Sequence, residues 1–163
     1  MGCVIAVCGK IGSGKTVFAR ELQAKNPENT VLLSCDEEMF SRYHHQEGTA
    51  FETLSARCKE ELHQKAAALV QKGFTVILDW GFWKKEERLA VETFYRQAGI
   101  RVRWYLLKTP QEKRKEWIQK RNQTVLRKES SDYFVDDGLF LKCEEQFEMP
   151  DAAEERSFLI VEA

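Results

Sequence analysis

The sequence predicts an α/β fold built on a mostly parallel sheet. Three observations carry that expectation. Short apolar runs alternate with helical patterns along the whole chain, as they must where each strand is followed by a crossover helix. The first three runs are largely apolar and β-branched, as in strands buried on both faces. A glycine-rich stretch, CGKIGSGKT, sits between the first run and the first helical pattern.

The strands are expected at Cys3–Cys8, Thr30–Ser34, Phe74–Leu78, Val102–Leu107 and Phe158–Val161. Gly14 to about Lys25 should be helical and end at Asn26-Pro27. Phe51, Leu54, Cys58, Leu62, Ala66 and Leu69 form a stripe at 3.6-residue spacing, closed by Gly73 as a C-cap. Trp83, Ala90, Val91, Phe94 and Ala98 form another, closed by Gly99. Pro110 can open a helix at its first position, and Leu139, Phe140, Cys143 and Phe147 suggest a last one. The stretches 36–50 and 122–137 show no clear period. They are read as long connections, and long connections in a compact domain tend to be functional.

A chain of 163 residues fits one domain, taken here as 1–163. Apolar residues at 43% and charged residues at 31% are ordinary for a globular protein. The net charge of −1 gives no overall pull toward nucleic acid or an anionic membrane. It hides an asymmetry, however. Between Arg101 and Lys128 ten bases stand against two acids, which suggests a local anion site. The five cysteines are scattered without CxxC spacing, so free thiols in a reducing compartment are expected. No signal peptide is apparent, and no apolar run approaches the ~20 residues of a membrane span. The expectation is a cytoplasmic protein.

Residues 9–16 satisfy G-x-x-x-x-G-K-[ST] in full. Glycines there allow backbone turns that aim successive N–H groups at phosphate oxygens, and the following helix adds its positive end. Lys15 would reach the β- and γ-phosphates and Thr16 would ligate Mg²⁺. Gly9, Lys10, Ile11, Gly12, Ser13 and Gly14, with Val17 beyond, complete the expected nucleotide contacts. Asp36, just after the second strand, is placed to accept a proton from an attacking hydroxyl. Asp79 ends the third strand, where an acid can hold Mg²⁺ directly or through water.

These stretches resemble the P-loop kinases of the polynucleotide kinase and zeta-toxin type, and especially the small kinases described as AAA-type ATP-binding proteins. The resemblance rests on GKIGSGKT with VFARELQAKNP, the Asp36 segment, VILDWGFWKKEERLAVETF, LLKTPQEKRKEWIQKRN and FEMPDAAE. It implies a P-loop NTPase three-layer sandwich with a five-stranded sheet of order 2-3-1-4-5. It also implies Mg·ATP as phosphoryl donor, Asp36 as base, and an arginine-bearing lid at about residues 110–135. Arg114 and Arg121 fall in that lid, two helical turns apart, and Arg127 lies just beyond; they would neutralise the transferring phosphoryl group, Arg121 also binding the nucleotide. The chain departs from the pattern where polynucleotide kinases carry an arginine after the base. Met39 stands there, and the nearest arginine is Arg42. Alignment through ERLA also sets Trp80, not Asp79, at their acidic position.

Trp80, Phe82 and Trp83 read as core or as the border of an acceptor pocket. Tyr43-His44-His45 has no third ligand at metal spacing and reads as loop or pocket lining. Phe147-Glu148-Met149-Pro150 is expected to flank the base. The function expected is transfer of the γ-phosphoryl group of Mg·ATP to the hydroxyl of a small or nucleotide-like acceptor. A nucleotide-dependent switch and a polynucleotide 5′-hydroxyl kinase stay open as alternatives. The acceptor and the oligomeric state are not specified by the sequence.

Overall fold

The computed structural model describes residues 2–43, 49–128 and 134–162. Its centre is β1 (Val4–Gly9), a run of β-branched and small residues buried at every position. Such a strand can lie only inside a sheet covered on both faces. β1 pairs in parallel with β3 (Thr75–Asp79) on one side and β4 (Val102–Lys108) on the other. β2 (Thr30–Ser34) and β5 (Phe158–Glu162) form the edges, giving the order β2-β3-β1-β4-β5, all parallel. This is the P-loop NTPase α/β arrangement, with the expected strand order.

Alternation along β1 divides the core. Val4, Ala6 and Cys8 face one layer, formed by α3 (Thr49–Gln71) and α4 (Lys85–Gln97). Ile5 and Val7 face the other, where Ala19 and Phe18 of α1 (Lys15–Lys25) pack. In α3 the buried positions are Cys58, Leu62, Ala66 and Val70, a single stripe four residues apart. Gly73 closes the helix in the left-handed region (φ 96°), its N–H donating to Val70 O at 2.9 Å.

The unpatterned stretches hold more helix than the sequence suggested. Residues 35–43 form α2 (Cys35–Tyr43). Ser34 Oγ accepts from Glu37 N at 3.3 Å, and the first turn carries Asp36, Glu37 and Glu38. A capping hydroxyl with acids at the positive end is enough to start a helix. Only Cys35 and Met39 are buried in it, too short a stripe to show a period. Likewise α5 (Gln111–Leu126) runs five residues into the second stretch. It is followed by α6 (Asp137–Gln146), capped by Asp136, and by the single turn α7 (Ala152–Glu155), capped by Asp151. α4 begins at Lys85, leaving Trp83 in the turn before it.

Between α3 and α4, His63 Nδ1 lies 2.7 Å from the Tyr95 hydroxyl and the imidazole packs edge-on to Trp80 at 5.0 Å. Burial pushes its pKa from 6.5 down to about 4, assisted by Lys59. The folded value lies below the unfolded one, so between about pH 6.5 and 4 the unfolded chain holds a proton that the folded chain does not. Stability should therefore fall as pH drops across that window. In urea unfolding at a series of pH values, His63→Phe should lose this component of the slope.

Candidate functional site

The carboxyl ends of β1, β2 and β3 meet at one level, because Asp79 is in register with both Val7 and Ser34. The loop 10–14 leaves β1 there and turns into α1. Gly12 (φ 73°) and Gly14 (φ 91°) both occupy the left-handed region, which a side chain disfavours. Gly14 caps α1 without a side-chain bond, and the first turn of α1 carries no acid. Its leading N–H groups are thus not matched to a carboxylate of their own helix, the condition for receiving an anion. Lys15 Nζ donates to Lys10 O at 2.9 Å, which folds the side chain back along the loop. Burial holds its pKa below the usual lysine value; Asp79 and Asp36 oppose that effect and Arg121 adds to it. Val17 is exposed on the first turn of α1, and Ser13 Oγ is buried without a hydrogen-bond partner among the described residues.

Thr16 Oγ1 donates to Asp79 Oδ2 at 2.8 Å. Asp79 is only 6% exposed, and burial raises its pKa against the pull of the Thr16 hydroxyl and the Lys15 ammonium. Two hard oxygen donors beside a phosphate-shaped loop fit Mg²⁺, which takes few protein ligands and leaves other positions to water and phosphate. Among the described residues no group of three or more His, Cys, Asp and Glu could hold a metal by itself. Asp36 lies exposed in the first turn of α2, two residues past Ser34, with its charge felt by both Lys15 and Asp79.

α5 lies directly on the phosphate loop. Thr109 Oγ1 donates to Ser13 O at 2.9 Å. Ile118 and Trp117 press so close to Gly12 and Gly14 that a Cβ on those glycines would lie 2.7 and 3.1 Å from them. Arg114 is 3% exposed and engaged by protein oxygens: Glu144 of α6, Thr109 O at 3.1 Å and Ile11 O at 3.4 Å. Its guanidinium is thus turned to protein oxygens and docks α5 and α6 on the loop. Glu144 also pairs with Lys10 at 3.4 Å, and the two cations hold its carboxyl below the ordinary range despite burial. Arg121 differs. Its Nε is buried with no hydrogen-bond partner among the described residues, and its charge acts on Lys15. Arg127 is exposed at the C-terminal end of α5.

A recess of about 460 Å³ opens beside the loop, lined by Lys10, Thr109, Pro110, Arg114, Phe147 and Met149 among others. Phe147 and Met149, from the segment expected to flank the base, thus line a recess beside the loop. Trp80 and Phe82 are core residues, 7% and 1% exposed, and Trp83 is half-buried. Tyr43 packs against the core, while His44 and His45 lie outside the described residues. Sequence reasoning missed Arg88, which is 2% exposed and bridges Glu154 to the turn after Asp79. Its signal was the repeat of cations in KKEER facing the acids of EMPDAAEE.

Strand order, phosphate loop and facing acid define a P-loop domain of the kinase-like kind. The chain belongs to the AAA domain family, whose model (AAA_33) matches residues 4–150. A search of curated proteins gives no match. Among solved structures it is similar to a sugar kinase from Janibacter sp. HTCC2649, with 17% identity, 99% of this chain and 86% of that chain covered, and a TM-score of 0.67. It is similar to Chaetomium thermophilum Kti12 in complex with ADP-AlF3, at 18% identity, 98% and 88% coverage and a TM-score of 0.67. It is also similar to Mycobacterium tuberculosis APS kinase CysC in complex with AMPPNP and APS, at 16% identity, 99% and 88% coverage and a TM-score of 0.67. At these identities the likeness is one of fold. Among the described residues no helix is long and apolar enough to cross a membrane.

The contact with α5 makes Gly12 doubly constrained. Gly12→Ala should lower stability in urea by about 1–3 kcal/mol, through strain and overpacking against Ile118. Gly73→Ala shares the positive φ but opens onto free space, and should lose less.

Proposed function

We propose that this chain is an ATP-dependent kinase that transfers the γ-phosphoryl group to the hydroxyl of a small or nucleotide-like acceptor. The observation that supports it most is the meeting of Lys15, the Thr16–Asp79 pair and Asp36 at the carboxyl ends of three adjacent strands. A phosphate anchor, a magnesium-binding oxygen pair and a second carboxylate are the parts that in-line phosphoryl transfer needs.

The loop amides and Lys15 would hold the β- and γ-phosphates, and Phe147 and Met149 would line the base recess. Thr16 and Asp79 would hold Mg²⁺, Asp79 directly or through water; the ion supplies charge neutralisation and alignment of the phosphates. Asp36 would orient the acceptor hydroxyl and take its proton. The acceptor oxygen then bonds to the γ-phosphorus as the bond to the bridging oxygen breaks, leaving ADP. Arg121 would face the charge that develops on the transferring group. Arg114 would keep α5 against the loop. The domain is then a single unit over 1–163 with a lid at about 110–135 whose closure would keep water from the donor. Localisation in the cytoplasm fits the scattered cysteines, five separate thiols.

A polynucleotide acceptor is less well supported. Met39 is buried, and Arg42 is engaged by Glu38 at 2.8 Å and by Glu61, which leaves its guanidinium less free for a substrate phosphate.

Labelled ATP incubated with pools of hydroxyl compounds tests the reading. Asp36→Asn should cut transfer by about 10²–10⁴-fold while ATP affinity changes little, since a general base acts on the chemical step. Unchanged transfer in that variant would remove Asp36 from the reaction. A second comparison separates the two lid arginines. Arg121→Ala should reduce kcat by about a hundredfold at near-native stability, as loss of a transition-state charge contact does. Arg114→Ala should instead lower the unfolding midpoint strongly, because Glu144 keeps only the longer contact to Lys10 and the carbonyls of Ile11 and Thr109 lose their donor.

A further inference from the structure

We propose that Arg88 is a positioning residue for this site, acting through the turn 80–83 on Asp79 and on the start of the phosphate loop. The proposal rests on the magnesium and nucleotide roles argued above. An arginine at 2% exposure is costly unless its donors are satisfied. Here Nε and Nη2 donate to the two oxygens of Glu154 at 3.0 and 3.1 Å, a paired geometry that only a guanidinium supplies. Nη1 donates to Phe82 O at 2.8 Å, and Cys8 Sγ reaches the same carbonyl at 3.6 Å.

The turn that receives this bond is strained. Phe82 sits at φ 51°, in the left-handed region, and Gly81 at φ 21°. A bulky residue there persists only when its surroundings hold it. The preceding carbonyl, Gly81 O, accepts from Gly9 N at 3.2 Å. Two successive carbonyls therefore point to two duties. One fixes the first residue of the phosphate loop, and the other is fixed by Arg88. Asp79 lies immediately before this turn, so the peptide orientation that Arg88 holds also sets where Asp79 meets Thr16. Displacements of the order of 1 Å matter at such a site.

The other end of the bridge lies in α7, five residues beyond Met149 of the recess. Glu154 follows the segment carrying Phe147 and Met149, whose neighbour Glu148 donates its N–H to Trp83 O at 2.7 Å. Lys85 pairs with Asp151 at 2.7 Å and Lys84 with Glu148 at 3.6 Å. The bidentate pair is the buried member of this ladder, and the other two are solvent-exposed and screened. Arg88 thus ties α7, just after the recess segment, to the turn that follows Asp79.

The test uses the full chain, a fluorescent ATP analogue and thermal unfolding. Binding is titrated once in EDTA and once against rising Mg²⁺. In Arg88→Lys the Mg²⁺ concentration for half-maximal tight binding should rise about tenfold, the scale for loss of a group that orients a metal ligand. Affinity in EDTA should stay within about twofold, since the loop amides are intact. Glu154→Gln, which keeps the bond to Phe82 O, should shift in the same direction by less, and is the variant to read if Arg88→Lys does not fold. An unchanged Mg²⁺ requirement would overturn the proposal. So would affinities that fall together with and without the metal, because a merely structural arginine would do that. Absence of transfer by the native chain to every acceptor would sink the kinase reading, and a shifted Mg²⁺ requirement in Arg88→Lys would still support the positioning role.

Discussion

The buried carboxylate of Asp79 is the constraint around which the site is arranged. An ion at the end of a central strand, cut off from water, needs a donor and a counter-charge close by. The Thr16 hydroxyl at 2.8 Å supplies the first, and the Lys15 ammonium supplies the second. Both come from the first turn of α1, so the phosphate loop cannot shift without stranding Asp79. Strand register does the rest. Pairing of Val7 and Ser34 with Asp79 puts the loop, the acid and the start of α2 at one height, with no contribution from the periphery.

The second level of organisation is the docking of α5. Close approach of Trp117 and Ile118 makes Gly12 and Gly14 answer to two demands, left-handed backbone and absent side chain. A phosphate loop alone needs the first. The second belongs to the helix above it. This is why Arg114 and Arg121, equally plausible from spacing, take different parts. Arg114 lies on the face that meets Ile11 O, Thr109 O and Glu144, so its fork is turned to the protein. Arg121 lies two turns further on, past the contact with Gly12, where its Nε has no protein partner among the described residues.

Much of this was legible in the sequence, for reasons that differ by element. The strands were legible because burial on both faces leaves nearly unbroken apolar runs, and strand order followed once the family resemblance was recognised. The loop was legible because glycine and lysine at fixed offsets have few other uses. α2 was read as loop because its buried stripe is only Cys35 and Met39, although Ser34-x-x-Glu37 is a capping signal in plain view. Arg88 was not singled out because its acidic partner, Glu154, is sixty-six residues away in sequence, and a cation among KKEER looks like any solvated helix face. The contacts of Arg114 were hidden on the same ground: charge is visible in a sequence, whereas the direction in which a side chain faces is not. Charge-pair choice is a tertiary property, set after the strands and helices are in place.

The distribution of charge that results favours an anion at the loop over a free surface. Burial depresses the proton affinity of Lys15, and Arg121 depresses it further. Lys10 and Arg114 share one carboxylate, Glu144. The α1 terminus adds its own positive end, with no acid in the first turn to offset it. Cations brought this close repel one another, and the fold sustains that cost through the packing of α5 and the central strands. A polyphosphate entering the loop would relieve it by interacting with Lys15, the helix terminus and Arg121 at once, and by favouring the protonated form of Lys15. Asp79 and Asp36 offset part of the burial cost at Lys15, and an anion at the loop would offset more of it.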